Sequence, residues 1–146
     1  MSIKIGQLYS NPSVCFMRSD IHRFGVFAKK DIQEGDLICQ SPYFAISNDE
    51  INEEFEDSVL LRYLHPVEDD MIDGEWIVGM GYASAFNHDP DANIQWELDP
   101  YNEVMNHYAI EDIKAGEELV LDYEYDSEED EKEEDEDDDN NGFGNY

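Results

Sequence analysis

ASAFNHDPDAN, residues 83–93, sets the polar pair Asn87-His88 between an apolar approach through Phe86 and an Asp/Pro-rich turn. Asn and His are poor strand formers, and nothing in a core requires them side by side. A calcium loop is one rival reading, with Asp89, Asp91 and Asn93 at its first, third and fifth places. It fails because Ile94 stands where a glycine is needed and Pro100 where a bidentate glutamate is needed. G-x-S-x-G, H-E-x-x-H and a cysteine-centred nucleophile signature are all absent. Taken alone, His88 reads as a structural histidine.

Outward from this stretch the chain reads as short strands. SVCFMRS (13–19), FGVFA (24–28) and EWIVGMG (75–81) carry strand patterns, and LICQS and YFAIS continue from the turn IQEGDL (32–37). NIQWEL (93–98) and VMNHYAI (104–110) alternate around an Asp99–Asn102 turn and predict a hairpin. Ser47–Glu50 forms a capping-box pattern. DSVLLRYL (57–64), ended by Pro66, is the best helical candidate. DIKAGEEL (112–119) repeats the turn formula of DIQEGDLI (31–38), but no longer internal repeat is present. The elements predict a β-rich α+β domain over residues 1–126 with one small helix. Residues 127–146 carry no periodicity and read as a disordered acidic tail.

The chain has 146 residues and a formal charge of −30, from 38 acids against 8 Lys and Arg. SEEDEKEEDEDDD (127–139) contributes −10 of this, which leaves −20 for the rest. Such a charge repels nucleic acid phosphates and anionic lipid and attracts basic partners. Cys15 and Cys39 are too few for a disulfide framework or a four-cysteine zinc site, and they read as buried thiols. No metal site is expected. No apolar run reaches the ~20 residues of a membrane span, and MSIKIGQLYS lacks a signal-peptide core. The expectation is a soluble, intracellular protein, with nucleus and cytoplasm both open.

Three separated segments carry a family resemblance: RFGVFAKKDIQEGDLI (23–38), GYASAFNHDPDAN (81–93) and YAIEDIKAGEELVLDYEYD (108–126). In this order they resemble the SET domain of lysine methyltransferases, with its G-x-G-v-F-A start, N-H-S-x-x-P-N centre and G-E-E-L-x-x-x-Y end. The compact size looks most like the stand-alone SET proteins of viruses and bacteria. Arg23 replaces the first glycine, Asp89 the serine after N-H, Ala92 the proline and Ser84 a frequent arginine, whereas Asn87, His88, Glu118 and Tyr123 match. The residues after Tyr123 carry no cysteine and so no pattern of the family's zinc-binding flank. The resemblance implies a β-clip-like fold of short antiparallel strands with a knot-like C-terminal crossing. It implies a protein-lysine N-methyltransferase using S-adenosyl-L-methionine. Arg23, Phe24, Gly25, Asn87, His88 and Tyr123 would contact the cofactor. Asn87 and His88 would do so through backbone groups at the adenine edge, and Gly25 through close backbone approach. Tyr123 would be catalytic, and Tyr125, Tyr82 and Trp96 would line the lysine channel.

The expected partner is a basic protein, such as a histone, a histone-like protein or a ribosomal protein. Direct nucleic acid or membrane binding is not expected. The departures at Arg23 and Ala92 motivate a second reading, a catalytically inactive SET-fold module that binds basic proteins. A third reading treats the chain as an acidic chaperone or nucleic acid mimic.

Overall fold

Residues 6–56 and 58–123 are described by a computed structural model, without the side chains of Phe55 and Glu56. The expected boundary at residue 126, the acidic tail and Tyr125 lie outside the described residues.

Among the described residues the alternating segments form nine strands: β1 (Val14–Arg18), β2 (Phe24–Ala28), β3 (Leu37–Ile46), β4 (Leu64–Pro66), β5 (Trp76–Gly79), β6 (Asn87–His88), β7 (Ile94–Asp99), β8 (Val104–Ala109) and β9 (Glu118–Leu121). They build one sheet of order β1-β2-β9-β6 and another of order β4-β5-β3-β8-β7. Among these nine strands all pairings are antiparallel except one: β6 runs parallel to β9, with Asn87 opposite Val120 and His88 opposite Leu121. This parallel contact brings the Asn-His pair beside the C-terminal segment. The expected hairpin is β7–β8, and its turn is closed by Asn102, which donates to both carboxylate oxygens of Asp99.

Alternate residues of both sheets enter a core centred on Val26, Ile38, Phe86, Ile94, Ile113 and Leu119, and a smaller cluster joins Ile77, Ala83 and Met105. The two copies of the D-I-x-x-G formula meet face to face. Ile32 and Ile113 exchange backbone hydrogen bonds of 2.8 Å in both directions. Asp31 Oδ1 accepts from Ala115 N–H and Asp112 Oδ1 accepts from Glu34 N–H, each at 2.9 Å. Gly35 and Gly116 occupy the same position in each copy, at φ 92° and 95°, where a side chain would be strained. The repeated formula is thus a local two-fold clasp that carries the chain from β2 to β3 and from β8 to β9.

The helical expectation for 57–64 is corrected. Val59–Tyr63 forms a 3-10 turn and Leu64 enters β4. The Ser58 side chain caps the turn by accepting from Leu60 N–H, and Leu64 N–H closes back on Leu61 O. Val59 and Leu60 remain more than half exposed, so no buried face supports a longer helix. Among the described residues the one α-helical turn is Glu53–Glu56, just before it. The capping box at Ser47–Glu50 opens a 3-10 turn, with Ser47 N–H on the Glu50 carboxylate. Cys39 is buried as expected, whereas Cys15 is only partly so. Among the described residues no helix is long and apolar enough to cross a membrane.

Candidate active site

Asn87 is buried at the centre of a network that joins three segments distant in sequence. Its Nδ2 lies 2.8 Å from Oε2 of Glu118 and 3.2 Å from Ser19 Oγ, His22 O and Phe24 O. Two hydrogens shared among four acceptors make bifurcated bonds, and the shortest goes to the carboxylate. Ser19 Oγ donates to the other oxygen, Oε1 of Glu118, at 2.7 Å. Both carboxylate oxygens therefore have partners inside the fold. The Asn87 side chain ties the 22–24 loop to β9.

Gly25 is the residue that permits this. A Cβ placed there would overlap Oε2 of Glu118 and lie 2.9 Å from Nδ2 of Asn87. The close approach that Gly25 allows in this structure is to Glu118 and Asn87. Arg23, in place of the family's first glycine, adopts φ 46°. A left-handed conformation costs a non-glycine residue about 1–2 kcal/mol, held here by the Asn87 bonds to the carbonyls on either side of Arg23. Arg18 lies over the Phe24 ring, 4.8 Å from its centroid.

Tyr123 follows β9 and is anchored twice on the Asn-His segment. Its hydroxyl donates to Phe86 O at 2.5 Å, and its backbone N–H donates to Nδ1 of His88 at 3.0 Å. The two rings lie 5.1 Å apart. Two recesses meet at this tyrosine. One, of about 220 Å³, is lined by His22, Arg23, Phe24, Arg62, Tyr63, the 84–87 segment and Tyr123. The other, of about 460 Å³, is lined by Ser58, Val59, Leu61, Arg62, Leu64, His65, Pro66 and Tyr123. Arg62 and Tyr123 belong to both. Arg62 also donates to Nε2 of His22 at 3.4 Å, which links the 3-10 turn to the loop before β2.

The sequence-predicted residues divide accordingly. Arg23, Phe24, Asn87 and Tyr123 line the smaller recess. Gly25 abuts Glu118, and His88 holds the Tyr123 backbone. Tyr82 is placed elsewhere, stacked on Phe16 with centroids 4.8 Å apart and packed against the larger core. Trp96 packs against both core clusters and meets His65 edge-on at 5.5 Å. Neither lines the two recesses. Ser19, His22, Arg62 and Tyr63 carry no motif and escape a reading of the sequence. The only signal for Arg62 is that it is one of 8 Lys and Arg in a strongly acidic chain.

A second polar cluster lies within the core. His107 is fully buried, and burial, followed by the charge of His65, lowers its pKa from 6.5 to about 3. Its Nδ1 is 3.8 Å from the Cys39 thiol, and its Nε2 has no hydrogen-bond partner among the described residues. Burial pushes the Cys39 thiol up to about 11, against a smaller opposing effect of the Ser41 hydroxyl. The His107 ring packs on Phe86, 4.8 Å between centroids.

The profile of the SET domain matches residues 23–124. The chain belongs to the SET domain family. The strand-rich architecture is the SET fold. A histone-lysine N-methyltransferase specific for H3 lysine-37, from Schizosaccharomyces pombe, is 31% identical over 99 residues, covering 68% of this chain and 65% of that protein. The present SET chain thus spans slightly less than two thirds of that relative. A Plasmodium falciparum crystal structure aligns with a TM-score of 0.60 at 24% identity, over 77% of this chain and 94% of that one, and bears on the fold alone. A structure of ctPRC2 in an autoinhibited conformation bound to S-adenosylmethionine aligns with a TM-score of 0.59 at 29% identity. That alignment covers 76% of this SET chain and 15% of the other.

Proposed function

We propose that this protein is an S-adenosylmethionine-dependent protein-lysine N-methyltransferase acting on lysines in basic segments such as histone tails. The observation that carries this reading is Tyr123, fixed at both its hydroxyl and its backbone where the two recesses meet. The smaller recess suits the cofactor chemically: guanidinium groups of Arg23 and Arg62 for a carboxylate, the rings of Phe24 and Tyr63 for a purine, and backbone groups of residues 84–87 for its polar edge. When bound, S-adenosylmethionine supplies a sulfonium-activated methyl group.

The protein's own contribution concerns the amine. A lysine must lose its proton before it can act as a nucleophile, which at neutral pH costs about 4–5 kcal/mol from a reference pKa near 10.4. The larger recess has an apolar wall of Val59, Leu61, Leu64 and Pro66, and an apolar wall disfavours the charged amine. Tyr123 gives its hydroxyl hydrogen to Phe86 O, which sets its oxygen in the acceptor role toward an amine N–H. Accepting that hydrogen orients the nitrogen and stabilises charge that develops there. Asn87 and Glu118 hold the 22–24 loop against β9, and that loop forms one wall of the smaller recess. Tyr125 is assigned to the lysine channel only from its place two residues after Tyr123 along the chain.

The charge of −30 favours a cationic substrate. Relatives named as histone-lysine methyltransferases support a histone or histone-like protein, and an intracellular setting goes with that class. Ribosomal proteins fit the same charge argument. Incubation with labelled S-adenosylmethionine and a panel of basic proteins, followed by mass-spectrometric site mapping, tests the reading. Calorimetry measures cofactor affinity beside it. Methylated lysines are expected; no cofactor binding at millimolar concentration overturns the proposal. Binding of cofactor and basic proteins without methyl transfer would leave the inactive SET-fold module instead.

A further inference from the structure

The backbone of Tyr123 is held by a side chain. The parallel ladder between β6 and β9 ends at His88 and Leu121, followed by a bond from Asp89 N–H to Leu121 O at 2.9 Å. Two residues past Leu121, the imidazole of His88 takes over from the ladder and accepts the Tyr123 N–H at 3.0 Å. An acceptor at Nδ1 requires a neutral ring with its proton on Nε2.

We propose that His88 is a positioning residue: its neutral imidazole sets the Tyr123 backbone so that the hydroxyl reaches Phe86 O at the junction of the two recesses. The proposal rests on the methyltransferase reading. It gives the His88 side chain a task separate from the backbone contact assigned to this residue.

The surroundings give that task a pH dependence. Asp122, at the exit of β9, has its carboxylate 4.0 Å from the same Nδ1. Asp89, next along the chain from His88, has its carboxylate on Asp91 N–H at 2.8 Å. The Tyr123 ring lies against the imidazole at 5.1 Å. A second ring proton sits on Nδ1, so the protonated imidazole cannot accept from Tyr123 and faces the Asp122 carboxylate instead. Acid therefore exchanges the bond that holds Tyr123 for an ion pair that does not.

Asparagine separates this role from simple packing. Its Oδ1 stands at about the same reach as Nδ1, accepts a hydrogen bond, and does not titrate. The experiment compares the wild type, His88→Asn and His88→Ala between about pH 5.5 and pH 8.5, the span in which imidazoles change charge. The first readout is log(kcat/KM) with a basic peptide. Amine deprotonation alone gives a slope of about one, and a second essential deprotonation steepens it toward about two. The wild type should show the steeper acid limb and His88→Asn should not. His88→Ala should lose about ten- to hundredfold in kcat, as misplacement of a reacting group does, and His88→Asn should recover most of that loss. A structural role alone would leave the profile shape the same in all three.

The second readout needs no activity: the Tyr123 backbone amide, followed by NMR in the unliganded protein while the His88 ring titrates. Its proton shift should move and its exchange protection fall in the wild type, and stay constant in His88→Asn. An amide that ignores the His88 titration overturns the proposal, as does a steep acid limb that persists in His88→Asn. A protein that transfers no methyl at any pH overturns the methyltransferase reading, and the amide titration still decides the His88 contact.

Discussion

At the scale of single residues, Tyr123 carries the sharpest consequence. Tyr123→Phe removes one oxygen from a half-exposed ring whose backbone remains on His88. Turnover should fall by about 10²-fold, as for removal of one preorganised polar group, while the melting temperature and cofactor affinity measured by calorimetry change little. Near-normal turnover would assign the chemistry to another residue. Gly25 makes a different prediction. Gly25→Ala drives a methyl group into the Glu118 carboxylate and should destabilise the fold by about 1–3 kcal/mol in urea unfolding. Adding Glu118→Ala should relieve part of that loss, a coupling that a glycine needed only for chain flexibility would not show. His107 sets the acid response. The folded protein keeps this ring neutral down to about pH 3, whereas the unfolded ring takes up a proton near 6.5. The unfolded state then binds more protons, so this contribution to stability is intact above about 6.5 and is lost progressively as pH falls toward 3. His107→Leu should flatten the fall in melting temperature between pH 7 and pH 4.5 (roughly the range where imidazoles titrate); an unchanged fall would place the acid sensitivity elsewhere. Gly25, Asn87, Glu118 and Tyr123 were legible in the sequence because each sits in a local motif. Ser19, His22 and Arg62 were not, because they join the site only through contacts between segments 40 to 99 positions apart.

At the scale of elements, the strands were legible because one face of each is buried, and burial imposes alternation on the sequence. The 57–64 segment misleads for the complementary reason. Its apolar residues have helical composition, but they line a recess and face solvent, so nothing rewards a full helix. The D-I-x-x-G repeat was legible as a formula but not as a pair. Only the folded chain shows that each aspartate caps the other copy's turn. That reciprocity predicts similar effects for unrelated positions. Asp31→Ala and Asp112→Ala should each destabilise by about 1 kcal/mol, the net worth of one such hydrogen bond, when measured by chemical denaturation. A large effect at one aspartate and none at the other would show that the two turns do not act as one clasp. The clasp matters to the site because it leads directly into β9, where Glu118 anchors Asn87 and from which Tyr123 emerges.

At the scale of the whole molecule, charge divides unevenly. Arg18, Arg23 and Arg62 gather at or beside the smaller recess, while acids dominate the composition elsewhere. The densest run, eleven acids and one lysine in residues 127–139, begins only four positions after Tyr123 along the chain. We propose that this run raises the local concentration of a basic substrate. A charge of −10 there acts at long range only at low ionic strength, since the Debye length is about 10 Å at 0.1 M salt. Truncation after Asp126 should therefore raise the Michaelis constant for basic peptides by about tenfold at low salt, within the range of electrostatic steering. The difference should shrink as salt increases, with kcat preserved. A fall in kcat that ignores salt would point to the aromatic residues Phe143 and Tyr146 as a cover for the lysine channel. Loss of solubility with unchanged kinetics at every salt concentration would reduce the run to a solvating tail. A neutral peptide with the same target lysine completes the test: if capture is electrostatic, truncation should leave its Michaelis constant where it was.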